Sequence, residues 1–309
     1  MPTPSTDAIT VEPRTSRAWL DDAVTGGGGR LVDPAEASGV VWTHQDDPQA
    51  LALLLDAHPQ IEWVQLPWAG IEPYVDIVRA HPDRIWTCGK GIYAEPVAEH
   101  ALALALAGRR QLATYARAAA WTGPAGLNLL GARVVVLGGG GITESLLRLL
   151  LPFRCHVTVV RRRPQSMEGA DVVVGMERLD EALTGAELVV LALALTPETA
   201  GLFDRRRLEL LAPDGWIVNV ARGGHIVTED LIAVLAEQRI GGAALDVTDP
   251  EPLSADHPLW TEPRCLITPH TANTPAMAFP LLMQRVRENV RRRIAEEPLL
   301  GPVDVDAGY

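Results

Sequence analysis

The chain has 309 residues, of which 47% are hydrophobic and 21% charged, and a net charge of −12. That length allows two domains of about 100–200 residues each, and the balance excludes an intrinsically disordered chain. A general nucleic-acid surface, which draws on clustered positive charge, is excluded as well. No uninterrupted apolar run approaches the roughly 18 residues of a membrane span, and the first residues carry no apolar signal region. Cys88, Cys155 and Cys265 are odd in number and lack metal-ligand spacing. They read as reduced thiols of a cytoplasmic protein or as small buried hydrophobes, so no metal site is expected.

In chain order, the first thirty residues are polar and rich in glycine, from Gly26 to Gly29. At most one short strand or helix is expected there, with a mobile tip. A strand–helix rhythm follows: Gly39–Trp42 as strand, Pro48–Ala57 as helix, Ile61–Leu66 as strand, Tyr74–Ala80 as helix and Ile85–Cys88 as strand. Pro96 to about Ala120 is rich in Ala and Leu and predicts one long helix with its proline near the start. A second α/β series has strands near Asp171–Val174, Leu188–Leu193, Trp216–Val220, Ala243–Val247 and Leu266–Thr268. The last helix, Ala276–Ile294, has apolar spacing at Phe279, Leu282, Val286, Val290 and Ile294. Its Arg291-Arg292-Arg293 run, beside Glu296 and Glu297, reads as a solvated helix end.

The second series opens on Val134–Arg163, with four apolar residues, four glycines, a helix-period segment and a second apolar run at Val157–Val160. Aligned on Gly138 and Gly140, the turn matches the first two glycines of G-x-G-x-x-G, which cradle a pyrophosphate at a helix N-terminus. The third position is Thr143, which leaves room for a displaced helix and altered cofactor contact. Three later stretches fall at strand ends: Asn219-Val220-Ala221-Arg222-Gly223-Gly224, Asp246-Val247-Thr248-Asp249-Pro250-Glu251-Pro252 and Thr268-Pro269-His270. Strand C-termini of an open parallel sheet converge on one crevice, so a guanidinium, a carboxylate and an imidazole are expected to meet near a nicotinamide. Singly, each has an ordinary reading as a helix-flank cation, a turn carboxylate and a satisfied interior histidine.

The order of these motifs, with LPWAGIE and PVAEHALALALA ahead of the glycines, LTPETAGLFD after them and HPLW before ITPH, resembles the D-isomer-specific 2-hydroxyacid dehydrogenase family, which includes glyoxylate and hydroxypyruvate reductases. The resemblance spans nearly the whole chain. It implies two Rossmann-like α/β domains with parallel sheets and an active-site cleft between them. The substrate domain would be discontinuous, 1–98 plus 275–309, with the dinucleotide-binding domain at 99–274. It also implies a homodimer with contacts from the coenzyme domain.

Carried over residue by residue, the resemblance assigns catalysis to Arg222, Glu251 and His270, with Asp249 the competing carboxylate. Arg222 would bind the substrate carboxylate and polarise the ketone as a fork. His270 would give its proton to the developing alkoxide, and Glu251 would favour the imidazolium and hold its tautomer. Backbone N–H groups of Ala69 and Gly70 are candidates for the substrate carboxylate, and Trp68 for a pocket wall or a core residue. Gly138, Gly140, Gly141 and Ile142 fall at the cofactor phosphates, Thr196 on the loop after the Leu188 strand, and Val220, Ala221 and Asp246 around the nicotinamide. Asp246 reads equally as a strand-end cap.

Cofactor choice is read from the end of the second strand, where an acidic residue would select NAD through the ribose hydroxyl. Here that position holds Arg161, followed by Arg162 and Arg163. Guanidinium groups can pair with a 2′-phosphate, so NADP(H) is expected over NAD(H), with Arg163 facing solvent. The expected activity is reduction of a small 2-oxoacid to the D-2-hydroxyacid. The alternative is a nucleotide-binding scaffold or corepressor of the same fold, and a formate-type dehydrogenase is disfavoured because that branch resembles this one but carries Gln where Glu251 stands.

Overall fold

A computed structural model describes residues 5–14, 18–44 and 47–305. The chain divides into two compact units, one formed by Met1–Tyr93 with Thr274–Tyr309, the other by Ala94–Asn273.

The first unit contains β1 (Ala8–Glu12), α1 (Ala18–Gly26), β2 (Arg30–Leu31), β3 (Gly39–Trp42), α2 (Pro48–Ala57), β4 (Trp63–Gln65), α3 (Val75–Ala80) and β5 (Ile85–Thr87). These strands pair in parallel in the order β2-β1-β3-β4-β5. A parallel sheet is buried on both faces, and its strands accordingly carry apolar residues on both. One face packs Val40, Val64 and Trp86 against Leu51 and Leu55 of α2. The other packs Ile9, Val11, Val41 and Trp63 against Leu20 and Val24 of α1 and against Leu282, Val286 and Val290 near the C-terminus.

The first thirty residues depart from expectation, since they contribute β1, α1 and the start of β2. The cause is local: Ala8-Ile9-Thr10-Val11 is buried throughout and pairs on both sides, while Leu20, Ala23 and Val24 give α1 an apolar face. The glycines that suggested loose chain make a close approach, for a Cβ at Gly27 would meet the Arg287 carbonyl at 2.5 Å. The expected mobile tip, residues 1–4, lies outside the described residues.

The second unit begins with α4 (Ala94–Arg109) and α5 (Leu112–Arg117). The single long helix expected there is thus broken. Gln111 takes a left-handed φ of 56°, and Arg109 turns inward to donate to the carbonyls of Asn128 and Glu187. Ala and Leu propensity carried the sequence reading past a break that tertiary contacts impose. There follow β6 (Arg133–Leu137), α6 (Gly141–Leu150), β7 (His156–Val160), β8 (Val172–Val174), α7 (Leu179–Leu183), β9 (Leu188–Leu191), α8 (Arg205–Leu208), β10 (Trp216–Asn219), α9 (Thr228–Ala236), β11 (Gly242–Leu245) and β12 (Cys265–Ile267). All seven strands are parallel, in the order β12-β11-β10-β9-β6-β7-β8. Strand order reverses between β6 and β9, which is the topological switch point where such sheets bind ligands.

The chain returns to the first unit through α10 (Pro275–Ile294). Arg291 and Arg292 pair with Glu288, and Arg291 also with Glu297, as a solvated helix end would. Arg293 does not follow that reading. It is buried, donates to the Ser38 carbonyl and Glu62, and lies over the Trp63 ring.

Candidate active site

Because the seven strands are parallel, every loop that follows a strand in the second unit leaves from the same edge of the sheet. After β6, Gly138 donates its N–H to the Val160 carbonyl at 2.9 Å, and its φ is +109°. A side chain there would be strained, and its Cβ would collide with the Ala192 carbonyl. Gly140 is the N-cap of α6 and offers no side chain, so the first-turn N–H groups remain available to an anion. Space beside Gly140 is open, with nothing within 4 Å of a Cβ, and Gly141 and Ile142 follow in the first turn. Thr143, which breaks the glycine pattern, is fully buried and its hydroxyl donates to the Gly138 carbonyl at 3.1 Å. The side chain thereby ties the start of α6 to the turn it follows.

Arg161 comes directly after β7, where its N–H donates to the Val174 carbonyl at 3.0 Å. Its guanidinium lies over the glycine turn, since a Cβ at Gly139 would run into it. Arg162 and Arg163 are exposed. On the loop after β9, a hydrogen bond from Thr196 holds the Glu198 carboxyl below its ordinary range, and the Arg162 charge adds to that shift. Arg161 therefore lies over the glycine turn, and the Arg162 charge reaches the loop that bears Thr196.

After β10, the buried Asn219 carboxamide shapes the next turn. It accepts from the Ala221 N–H at 3.0 Å and donates to the Arg222 carbonyl at 2.8 Å, which fixes Val220 and Ala221 against the core. The half-buried Arg222 side chain donates through Nη1 to the Ala221 carbonyl at 2.8 Å. Gly223 is required by a neighbour, because a Cβ would collide with the Thr248 carbonyl. That contact sets the Arg222 turn against the loop that carries Glu251.

Of the two candidate carboxylates, Glu251 is the one bonded to the histidine, with Oε1 2.7 Å from His270 Nδ1. A carboxylate only accepts, so Nδ1 carries the hydrogen and Nε2 is the nitrogen through which a proton would be exchanged. The two side chains are 53% and 42% exposed, so the pair faces an open space. His270 has a φ of 51°, a left-handed conformation that costs an L-residue about 1–2 kcal/mol. Its N–H donates to the carbonyls of Asp246 and Thr268, which hold it there.

Asp246 organises this turn. Oδ1 accepts from the Thr268 hydroxyl at 2.5 Å and the Thr271 N–H at 2.9 Å and lies 3.2 Å from His100 Nε2, while Oδ2 accepts from the Ala272 N–H at 3.0 Å. Burial alone would raise this carboxyl, but the hydrogen bonds from His100, Thr268, Thr271 and Ala272 outweigh it and bring the pKa down to about 2. A carboxyl lowered on folding contributes stability above its unfolded value of 3.8, and that contribution is lost as pH falls toward the folded value. Asp246→Asn is therefore expected to lose about 2 kcal/mol of unfolding free energy at neutral pH. Urea titration should find the gap to wild type narrowing as pH falls below about 4; a gap independent of pH would remove the ionised carboxylate as its source.

Two histidines of this unit escaped the sequence reading. His100, on α4, bonds the Thr268 hydroxyl at 3.0 Å and so joins the Asp246 network from a distant part of the chain. It was visible only as part of the PVAEHALALALA stretch. His225 is fully buried, with Nδ1 3.0 Å from the Thr199 carbonyl and Nε2 3.2 Å from the Leu193 carbonyl. It ties together the two ends of the loop that bears Thr196. Burial pushes its pKa down, against the pull of those two carbonyls.

Trp68, Ala69 and Gly70 lie in the first unit, just beyond β4. Their loop is bound to the one after β5: Gly89 donates to the Trp68 carbonyl at 2.9 Å and the Tyr93 hydroxyl to the Pro67 carbonyl at 2.7 Å. Trp68 packs on Tyr93 with ring centroids 5.8 Å apart, and its indole Nε1 is buried with no hydrogen-bond partner among the described residues. Among the described residues no group of three or more His, Cys, Asp or Glu side chains could hold a metal ion, and no helix is long and apolar enough to cross a membrane.

Comparison with known proteins agrees with this geometry. An uncharacterized protein from Corynebacterium melassecola is 34% identical over 93% of this chain and 95% of its own length. Glyoxylate/hydroxypyruvate reductase A of Serratia proteamaculans is 35% identical over 56% of this chain, and that match spans 55% of the reductase. Among solved structures, a D-isomer specific 2-hydroxyacid dehydrogenase from Xanthobacter autotrophicus Py2, in complex with NADPH and MES, has a TM-score of 0.84 at 28% identity, covering 98% of this chain and 99% of that one. A family protein from Aeromonas salmonicida gives 0.82 at 28% identity over 98% of this chain and all of its own. The family model described as D-isomer specific 2-hydroxyacid dehydrogenase, NAD binding domain, matches residues 100–272. With its glycine turn, its Arg222 turn and its Glu251–His270 pair all inside that match, the chain belongs to the D-isomer-specific 2-hydroxyacid dehydrogenase family of NAD(P)-dependent oxidoreductases.

Proposed function

We propose that the chain reduces a small 2-oxoacid of the glyoxylate or hydroxypyruvate type to the D-2-hydroxyacid with NADPH. The observation that carries this reading is the Glu251–His270 pair at 2.7 Å, on the same sheet edge as Arg222 and the glycine turn. The cofactor supplies a hydride when bound. The residues fit it: Gly138 admits no side chain, the first-turn N–H groups of α6 have no side-chain cap, and the space beside Gly140 is open. Arg222 holds the substrate carboxylate and draws charge toward the ketone oxygen. His270 releases its Nε2 proton to the oxygen as negative charge develops there, and Glu251 stabilises the imidazolium before transfer. Asp246 holds the turn that carries His270 and, with Val220 and Ala221, would hold the nicotinamide end of the cofactor. NADPH oxidation across 2-oxoacids of increasing size tests the reading, and a folded protein that turns over none of them would favour a nucleotide-binding scaffold.

Cofactor selection falls to Arg161 and Arg162. The glycine turn and the end of β7 are adjacent through the Gly138–Val160 hydrogen bond, and the Arg161 guanidinium lies over that turn, where it would hold the ribose side of a dinucleotide. Pairing with a 2′-phosphate is charge-assisted and unavailable to NADH. Arg161→Asp combined with Arg162→Ala is expected to lower the NADPH/NADH ratio of kcat/KM by about tenfold or more. A wild type that prefers NADH, or a ratio unchanged in the variant, would defeat the assignment.

The proposed assembly is a homodimer through the second unit. Between α5 and β6 the segment 118–128 is exposed throughout, and Trp121, at 102% exposure, touches nothing that covers it. Leu112, Leu127 and Leu130 are exposed with it, a concentration of apolar area that marks an association surface. Trp121→Asp is expected to shift the mass in light scattering from dimer toward monomer, and a wild type monomeric at all concentrations would rule the arrangement out.

A further inference from the structure

Of the four glycines that follow β6, Gly138 has a left-handed φ and Gly139 does not, so the backbone at Gly139 does not by itself exclude an alanine. The space there is nevertheless taken. A Cβ on Gly139 would fall on Arg161 Nε and lie 2.7 Å from Cζ and 2.8 Å from Cδ of the same side chain. At Gly140 a Cβ would meet nothing within 4 Å, so the crowding belongs to one position of the run. The turn itself has little room to yield. The Gly138 N–H donates to the Val160 carbonyl at 2.9 Å, its carbonyl accepts from the buried Thr143 hydroxyl at 3.1 Å, and the Ala192 carbonyl fills the place where its side chain would be. Across from it, the Arg161 N–H donates to the Val174 carbonyl at 3.0 Å, which anchors that residue and leaves its side chain as the movable part. A methyl at position 139 would therefore be accommodated by swinging the guanidinium off the turn.

We propose that Gly139 is a specificity-determining residue: its missing side chain makes the space that keeps the Arg161 guanidinium over the glycine turn, and discrimination for the 2′-phosphate of NADP(H) depends on that space. The inference rests on the reading that Arg161 selects NADP(H). A guanidinium packed on a glycine has less rotamer freedom left to lose when it pairs with a phosphate than the same group swung into solvent. Its fork is also directional, so displacement costs orientation as well as reach. The pyrophosphate falls to the first turn of α6, which Arg161 does not cap. Replacement of Gly139 therefore acts on the choice between cofactors more than on the binding of the part they share.

Calorimetric titration with ADP-ribose and with ADP-ribose 2′-phosphate tests this without catalysis, since neither ligand carries the reacting ring. Wild type is expected to favour the 2′-phosphorylated ligand by about tenfold or more, and Arg161→Ala and Gly139→Ala each to remove most of that preference. Gly139→Ala should bind ADP-ribose nearly as wild type does, with a urea midpoint unchanged or raised, because an alanine reduces the freedom of the unfolded chain. In the double variant the preference should equal that of Arg161→Ala alone, since the methyl then has no guanidinium to displace. A preference kept in Gly139→Ala but lost in Arg161→Ala overturns the role of Gly139 and leaves the Arg161 reading standing. A preference that survives in both defeats that reading and the role of Gly139 with it. A further loss in the double variant, beyond that of Arg161→Ala, would show the glycine acting by another route and overturns the proposal as well. Should Gly139→Ala fail to fold, the double variant decides: a folded double traces the failure to the guanidinium and upholds the shared space, and an unfolded one overturns it.

Discussion

His270→Ala is expected to slow the reductive step by about 100- to 10,000-fold, the span of general acid catalysis. The geometry supports a loss in that range because nothing else on the turn offers a proton. Thr268 donates its hydroxyl to Asp246, and the Thr271 and Ala272 N–H groups are taken by the same carboxylate. His270 Nδ1 is committed to Glu251, which leaves Nε2 as the nitrogen for proton transfer in the proposed reaction. Glu251→Gln keeps an oxygen that can accept from Nδ1 but removes the charge that stabilises an imidazolium, whereas Glu251→Ala removes both. The expected order of kcat is therefore wild type, then Glu251→Gln, then Glu251→Ala, with His270→Ala lowest. Single-turnover reduction reads the order directly. A Glu251→Ala protein as active as Glu251→Gln would mean that the 2.7 Å contact does nothing for the proton, and a His270→Ala protein within a few-fold of wild type would remove the histidine from the chemistry.

The residues that sequence made legible are those whose roles are written in local backbone demands. Gly138 must accept a left-handed φ and a carbonyl at its Cβ position, and the short apolar runs around it must be buried on both faces of a parallel sheet. Both demands leave a pattern in the chain. What stayed illegible depended on partners remote in sequence. His100 meets Thr268 across 168 positions, and nothing near either residue announces the bond. Arg293 reads as one of three helix-end cations, yet its contact with Ser38 spans 255 positions and takes it out of solvent. The break at Gln111 is similar, because Arg109 is drawn inward by the Asn128 and Glu187 carbonyls while helix propensity runs straight through. Asp246 marks the limit within the site itself. Strand-end position nominated it equally for the nicotinamide and for capping, and only the bonds to Thr268, Thr271 and Ala272 reveal how much of its carboxylate the turn consumes.

Arg222→Ala is expected to lower kcat/KM by at least about 100-fold, or roughly 2.7 kcal/mol of transition-state stabilisation. In the proposed reaction, fixation of the substrate carboxylate and polarisation of the ketone depend on one guanidinium, so both would be lost together. A charge-assisted fork is stronger than an ordinary hydrogen bond and fixes orientation as well as affinity. The Arg222 turn is fixed by its surroundings: Asn219 holds its carbonyl, and Gly223 sets its turn against the Thr248 carbonyl. Arg222→Lys separates the two contributions. An ammonium restores the charge without the planar fork, so the lysine variant should recover part of the ground-state affinity, seen in KM, and little of kcat. Fold is checked independently, since the side chain is only half-buried and the alanine variant should unfold within about 1 kcal/mol of wild type in urea. A folded Arg222→Ala protein within a few-fold of wild type in kcat/KM would exclude the residue from the site, and a lysine variant with full kcat would show that charge alone, without the fork, polarises the ketone.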